Sequence, residues 1–451
     1  MKGRPSPTEP PRERAVVAAL VLPDSDPALK SDPLAEIAGL AEAAGAEVVG
    51  GLHQRLPHPD PRTAFGKGKV EELRALAQGL DATLVVVDFD LSPSQARNLE
   101  KALDRRVVDR TELILDVFAS RAQTRQAKLQ VELAQLEYLR PRLRRMWTHL
   151  ERTEGAIGTR GPGETQLETD RRLIARKITD LKQRLAAIDR RRARLAESRE
   201  HPETVSLVGY TNAGKSSLMN RLTGADVLVA DMLFATLDTR VRTWRLHDGR
   251  GVLLADTVGF VRDLPHHLVA SFHATLEETL HADLLLHVAD ANDPCLDSHL
   301  AAVERVLDEI GVADTPRLLV LNKTDLLDAG ARARLEEEHP EALLVSVVSG
   351  EGLEGLDARV AAQLDRWSVE VEVEVPPAAG RLTAEFRGSG RLQESAWLED
   401  GRWRARVVLP SRQWLQLRPR IEAAGGSWRP AGASAGGACR VEPPAEDRRR
   451  A

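Results

Sequence analysis

Cysteine is nearly absent from this 451-residue chain: Cys295 and Cys439 stand alone and far apart. Two thiols so placed give neither a disulfide framework nor the ligand spacing of a zinc site, and they suit a reducing cytosol. Long apolar runs are missing as well, so no membrane-spanning helix is expected. Residues 1–14 are polar and proline-rich and lack the apolar core of a secretory signal. These absences point to a cytoplasmic protein without integral membrane contact, peripheral membrane association remaining open. What the chain does have is 42% hydrophobic and 29% charged residues, the balance of a globular protein. Its length exceeds one ordinary core and predicts about two to four units.

The formal net charge of −5 conceals an asymmetry. Residues 121–200 hold 20 Lys and Arg against 11 Asp and Glu, a balance of +9. Residues 201–368 hold 14 against 27, a balance of −13. A basic segment attracts polyanions even within an acidic chain. On charge alone, a solvated helical face is the commoner explanation.

Hydrophobic periodicity divides the chain further. Residues 15–120 alternate short apolar strands (16–22, 46–49, 83–88) with helical stretches (34–44, 70–80, 92–103). Gly50-Gly51 is expected to stop the second strand, and Pro93 sits near a helix start. This predicts a small α/β domain with a largely parallel sheet. Between residues 121 and 200, Leu129, Leu133, Leu136, Leu139 and Leu143 recur at three- and four-residue steps, as do Ile174, Ile178, Leu181, Leu185 and Ile188. Two long antiparallel helices joined by a glycine-rich loop at 153–163 satisfy the pattern, with Pro141 expected to kink or interrupt the first. Residues 369–430 read as a small β-rich α+β domain, in which 369–375 alternates apolar and acidic residues and Asp400-Gly401 marks a hairpin turn. The glycine- and alanine-rich stretch 431–451 is expected to be disordered, and 1–14 flexible.

The intervening segment, 201–368, carries the chemistry. Gly209-Tyr210-Thr211-Asn212-Ala213-Gly214-Lys215-Ser216 matches G-x-x-x-x-G-K-[ST] between an apolar strand and a helix. The glycines let consecutive N–H groups turn toward phosphate oxygens at a helix N-terminus. Lys215 is expected to reach the β- and γ-phosphates and Ser216 to ligate Mg²⁺. A second strand pattern ends in Asp256-Thr257-Val258-Gly259, where the carboxylate can hold Mg²⁺ through water and the Gly259 N–H can sense the γ-phosphate. A third ends in Asn322-Lys323-Thr324-Asp325. Asp325 can accept two hydrogen bonds from guanine N1–H and N2–H₂; adenine lacks that pair and would leave a carboxylate unsatisfied. Val345-Ser346-Val347 follows a fourth strand and offers a backbone N–H to guanine O6. Any one motif alone is an ordinary strand-end turn; four in this order predict a guanine-nucleotide P-loop GTPase. The expected fold class is α/β: a P-loop GTPase domain preceded by a small α/β domain and a helical hairpin, and followed by a small β-rich domain.

Two positions bear on hydrolysis. Phe260 follows Gly259 where Ras-like GTPases carry a water-positioning glutamine, and an aromatic ring cannot orient water, so unaided hydrolysis is expected to be slow. Asn212 is either a K⁺ ligand, as GTPases with asparagine here often have, or a residue that stabilises the loop.

The flanking runs resemble the HflX-type GTPases. The resemblance rests on Gly155-Ala156-Ile157-Gly158-Thr159-Arg160-Gly161-Pro162-Gly163-Glu164, on Leu91-Ser92-Pro93-Ser94-Gln95-Ala96-Arg97-Asn98-Leu99-Glu100, on Lys128-Leu129-Gln130-Val131-Glu132-Leu133, and on Phe234-Ala235-Thr236-Leu237-Asp238. It covers roughly residues 45–367. Ala156 departs from the family's usual glycine and Val347 from its usual alanine. The resemblance selects Thr236 over Thr239 as the switch I threonine that closes over Mg²⁺ and the γ-phosphate, with Phe234, Ala235, Leu237 and Asp238 beside the nucleotide. The catalytic set is then Lys215, Thr236, Gly259 and Asn212. It also implies association with rRNA and proteins of the large ribosomal subunit, in splitting or rescue of stalled ribosomes or in protein synthesis under stress, and a monomer off the ribosome. Arg140, Arg142, Arg144, Arg145, Arg171, Arg172, Arg176, Lys177 and Arg190 along the two helices suit RNA recognised by shape and phosphate. Gly66-Lys67-Gly68-Lys69 is a plain turn before a helix or a phosphate contact for ATP, which keeps an ATP-dependent RNA-remodelling enzyme as an alternative. A ribosome-biogenesis GTPase and a non-ribosomal regulator are the others. Trp397, Trp403, Trp414 and Trp428 could stack on bases, though core packing is the better default.

Overall fold

The computed structural model describes residues 12–146, 162–197, 203–224, 233–234, 239–262, 282–366, 368–389 and 391–431. Three separate sheets organise it. The first is parallel, in the order β2-β1-β3-β4, from β1 (Arg14–Val21), β2 (Glu47–Arg55), β3 (Leu84–Asp88) and β4 (Arg106–Asp109). Every residue of β3 is buried, as expected where helices cover both faces. Val16, Ala18 and Leu20 point to the face packed by α3 (Lys67–Gly79) and α4 (Pro93–Leu103). Ala15 and Val17 point to the face packed by α2 (Ala35–Ala43) and α5 (Arg110–Arg121), which follow the short α1 (Pro27–Ser31). A capping box between Ser92 and Gln95 starts α4, with Pro93 at its first turn.

Gly50-Gly51 does not stop β2; the strand runs through both to Arg55. A Cβ on Gly51 would lie 2.7 Å from Val17 Cγ2 and 2.9 Å from Leu34 Cδ1, and one on Gly50 would lie 2.6 Å from Leu80 Cδ1. At Gly51 the neighbouring Val17 and Leu34 take the space a Cβ would need, a tertiary reason, whereas Gly50 meets only the flexible end of Leu80.

Pro141 likewise lies inside a continuous helix, α6 (Arg125–Met146). This helix packs on α7 (Pro162–Glu197) through Leu133, Ile178, Leu181 and Leu185, with Lys177–Glu132 and Lys182–Glu137 ion pairs beside the seam. Most of the predicted glycine-rich loop lies outside the described residues. Arg142 turns inward: its guanidinium lies 3.6 Å from the centre of the Tyr138 ring, donates to Leu91 O, and pairs with Asp109 at 2.7 Å.

The second sheet has the order β10-β9-β8-β5-β7-β6: β5 (Thr204–Val208), β6 (Arg240–Arg245), β7 (Gly251–Asp256), β8 (Leu284–Asp290), β9 (Arg317–Asn322) and β10 (Leu343–Leu344). Only β6 runs antiparallel to its neighbour. With β5 central, the loop after it opens in the middle of the carboxyl edge, where such sheets bind ligands. The third sheet, β12-β13-β11-β14, is antiparallel: β11 (Ser368–Val375), β12 (Arg391–Trp397), β13 (Trp403–Pro410) and β14 (Ser427–Pro430). Helices at Gly380–Ser389 and Ser411–Ala423 make it a β-α-β-β-α-β unit. Trp403 and Trp414 are in its core, while Trp397 is exposed. On β11, Glu370, Glu372 and Glu374 pair with Arg406, Arg429 and Arg404.

The carboxyl edge of the first sheet meets the second unit through buried charges. Arg110 donates to Asp88 at 2.6 Å, pairs with Glu36, and donates to the Arg262 carbonyl at 2.6 Å. Arg262 pairs with Asp88 at 2.8 Å. Burial pulls the Glu36 carboxyl upward, but Arg110, Arg262 and a hydrogen bond from Tyr210 outweigh it, leaving its pKa below the ordinary value. That contribution is present above the ordinary glutamate range and is lost as pH falls through the lowered pKa. Replacing Arg110 by Met keeps the apolar stem and leaves the buried Asp88 and Glu36 carboxylates to share Arg262 as their one remaining cationic partner in the cluster. Urea unfolding is expected to show a loss of about 3–5 kcal/mol; a loss below about 1 kcal/mol would contradict this account.

Candidate nucleotide-binding site

The loop between β5 and α8 (Lys215–Thr223) owes its shape to three residues at positive φ: Gly209 at +150°, Asn212 at +62° and Gly214 at +89°. A Cβ on Gly209 would sit 2.0 Å from Val288 O, and one on Gly214 would sit 2.3 Å from Asn322 Nδ2. Only glycine fits at either place. Lys215 is buried and donates to the carbonyls of Gly209 at 2.9 Å and Tyr210 at 2.7 Å. Two of its three N–H bonds thus aim the ammonium along the loop. Burial lowers its pKa to about 8 despite the opposing Asp256 carboxylate. An ammonium so desolvated gains strongly from an arriving phosphate.

Ser216 Oγ donates to Asp256 Oδ2 at 2.6 Å, bringing the loop hydroxyl and the β7 carboxylate to one point. No group of three His, Cys, Asp or Glu side chains converges among the described residues. The donor set is instead one hydroxyl and one carboxylate, which suits Mg²⁺, an oxygen-seeking ion that keeps several waters and is completed by phosphate. When bound, the ion would neutralise charge on the β- and γ-phosphates. Thr257 Oγ1 donates to Leu207 O at 2.6 Å, fixing β7 to β5 at this edge.

The base side is equally ordered. Asn322 Nδ2 donates to Ala213 O at 3.0 Å and its Oδ1 accepts from Val347 N at 3.3 Å, joining the phosphate loop to the Val345-Ser346-Val347 segment. Thr324 N donates to Val345 O. Ser346 Oγ donates to Asp325 Oδ1 at 2.6 Å, orienting an exposed carboxylate. Lys323 pairs with Asp290 at 2.7 Å.

Three family models match consecutive stretches: a GTP-binding GTPase N-terminal model at residues 31–119, a GTP-binding GTPase middle-region model at 121–199, and a 50S ribosome-binding GTPase model at 204–323. The chain is 45% identical over 390 residues to GTPase HflX of Escherichia coli, covering 86% of this chain and 92% of that one. It is 42% identical over 415 residues to GTPase HflX of Lacrimispora saccharolytica, covering 91% and 97%. The chain belongs to the HflX family of GTPases. A GTP-binding protein of Sulfolobus solfataricus in complex with GDP is 23% identical, with a TM-score of 0.41, over 78% of this chain and 98% of that one.

As an HflX-family GTPase it binds and hydrolyses GTP. The structure brings together at one sheet edge Lys215, Ser216 and Asp256 on the phosphate side and Asn322, Asp325 and Ser346 on the base side. Gly259 lies against the loop, where a Cβ would be 2.7 Å from Thr211 Cγ2 and 3.1 Å from Lys215 Nζ. Phe260 is buried, and its backbone bonds to Gly209 O and Thr211 N. Phe234 is buried edge-on against Phe118 of α5, ring centres 4.6 Å apart. Ala235, Thr236, Leu237 and Asp238 lie outside the described residues. Sequence reasoning missed Glu36, Asp88, Arg110 and Arg262; their one sequence signal is charge at the ends of apolar runs.

Two outcomes follow. GDP binding near pH 8.5 is expected to take up most of a proton as the phosphates re-ionise Lys215, so affinity falls as pH rises from 8 toward 10. Calorimetry in buffers of different ionisation enthalpy reads the uptake, and a buffer-independent heat contradicts it. Asp325→Asn should weaken GTP binding by about a hundredfold or more, because the amide meets guanine N2–H₂ with a donor. It should improve binding of xanthosine triphosphate, whose O2 accepts instead; unchanged base preference contradicts the assignment.

Proposed function

We propose that this HflX-family GTPase is a GTP-driven switch that associates with the large ribosomal subunit and acts in splitting or rescue of stalled ribosomes, or in protein synthesis under stress. The observation that carries the reading is the α6–α7 pair. Its apolar seam is closed internally, and Arg140, Arg172 and Arg176 remain on its exposed surface within a segment of net charge +9. Such a face suits a phosphate backbone recognised by shape. Arg142 is withdrawn from this set by its pairing with Asp109. The 50S ribosome-binding description of the matching GTPase model points the same way. In this reading GTP and Mg²⁺ order Thr236 and Gly259, and hydrolysis releases the surface they support. Phe260, a buried aromatic ring, leaves the positioning of water to a group supplied by the partner.

K⁺ at Asn212 belongs to the same proposal, although the residue's left-handed backbone is one that asparagine tolerates for the loop's own sake. The ATP alternative at the start of α3 has less support: the Gly66 N–H is bonded to Gln54 and Lys69 is paired with Glu72. Co-sedimentation with large subunits is expected with a non-hydrolysable GTP analogue and much less with GDP, and it should weaken steeply with salt. Equal sedimentation in both nucleotides rejects the switch. GTP turnover should rise when large subunits are added, more so in K⁺ than in Na⁺; a rise identical in the two salts removes the K⁺ part alone.

A further inference from the structure

The second residue of the phosphate loop has a side chain that the phosphate cradle does not need, because the cradle is built from backbone N–H groups. Here that residue is Tyr210, and it is buried at the junction with the first sheet. Its ring stacks on His299 of the helix Leu296–Glu309, centres 3.7 Å apart and planes at 10°, which fixes the direction of the hydroxyl. The hydroxyl donates to Glu36 Oε2 at 2.7 Å and accepts the Arg262 backbone N–H at 2.7 Å. Burial and the adjacent Glu36 carboxylate push the phenol's pKa well above its ordinary value, so its proton stays available for donation.

Arg262 lies three residues beyond Gly259, and both of its backbone polar groups are held: the N–H by Tyr210 and the carbonyl by Arg110. Phe260, between them, donates to Gly209 O at 3.1 Å and accepts from Thr211 N at 2.8 Å. Residues 260 and 262 are therefore stitched at alternate positions, first to the phosphate loop and then to the loop and the first sheet together. Gly259 sits directly upstream, pressed against Thr211 and Lys215.

We propose that Tyr210 restrains the response to GTP: its hydroxyl ties the chain after Gly259 to both the phosphate loop and the first sheet, and this tie must yield for Gly259 to follow a γ-phosphate. In the switch reading the γ-phosphate is the part of the nucleotide whose recognition moves this segment, whereas GDP is held by the phosphate cradle and the base side. The tie therefore opposes GTP selectively. The proposal rests on Gly259 as the γ-phosphate sensor, which Gly259→Ala tests separately.

The experiment compares full-length Tyr210→Phe, Glu36→Gln, their double variant and Gly259→Ala with the native chain, measuring binding of fluorescent GDP and of a fluorescent non-hydrolysable GTP analogue. Tyr210→Phe keeps the ring stack and removes one oxygen. Its GDP affinity is expected to stay within about twofold, while GTP-analogue affinity rises about three- to tenfold, the worth of a typical lost hydrogen bond. The kcat/KM for GTP should rise in parallel. Because Glu36 acts through the same hydroxyl, the double variant should gain less than the product of the two single effects. Equal shifts for both nucleotides, additive gains, or no shift would each overturn the proposal. If Gly259→Ala leaves GTP-analogue binding unchanged, the sensor reading fails and the proposal falls with it; if only Tyr210→Phe is silent, the sensor stands and the tie does not.

Discussion

Two guanidinium groups buried at the junction of the first two sheets govern much of the arrangement. Arg110 and Arg262 are withdrawn from water together with Asp88 and Glu36, and such charges are tolerated only when their partners are all in place. Each partner comes from a different element: α2, the end of β3, the start of α5, and the segment after Gly259. The cluster pairs its charges in one relative placement of the two units, which makes it a better specifier of geometry than a source of stability. Around it the apolar contacts run continuously from Phe118 and Ile114 to Phe234, Phe260 and Val261, so that one core serves both units.

That continuity changes how the nucleotide site should be viewed. In a free-standing P-loop domain the segments flanking the γ-phosphate face solvent and are free to reorganise. Here Phe234 on one side and Phe260 with Arg262 on the other are rooted in the neighbouring unit. The Asn322, Ala213 and Ser346 contacts, by contrast, lie within the second unit. In the proposed reading, nucleotide identity belongs to groups held within the second unit, and nucleotide state to groups rooted in a buried interface.

The part held within the second unit was legible in the sequence, and the coupled part was not, for a physical reason. Gly209 to Ser216, Asp256 to Gly259 and Asn322 to Asp325 are short runs whose residues cooperate with near neighbours, so composition and spacing carry the message. Glu36, Asp88, Arg110 and Arg262 belong to four distant segments and acquire meaning only when folding brings them together. Gly50-Gly51 misled because glycine in a strand is a breaker by propensity, while at Gly51 the side chains of Val17 and Leu34 required the absence of a Cβ. Arg142 misled for the opposite reason: it is one arginine of a basic run, yet Tyr138 and Asp109 draw it inward. Phe260 stood out in the sequence by its place after Gly259, but where its ring goes became apparent only from the shared core.

The third sheet has a consequence of its own. Glutamates at alternate positions of β11 meet arginines from β13 and β14 across its outer face, and each charge is answered within a few ångströms. Seen from beyond a screening length of about 8 Å, such a face is electrically silent. It neither repels a polyanion nor attracts one. Long-range guidance of an encounter is thereby left to the uncompensated contrast between the basic helices and the acidic nucleotide-binding unit. A molecule charged in that way is turned as it approaches a polyanionic surface, helices first, before any specific contact forms.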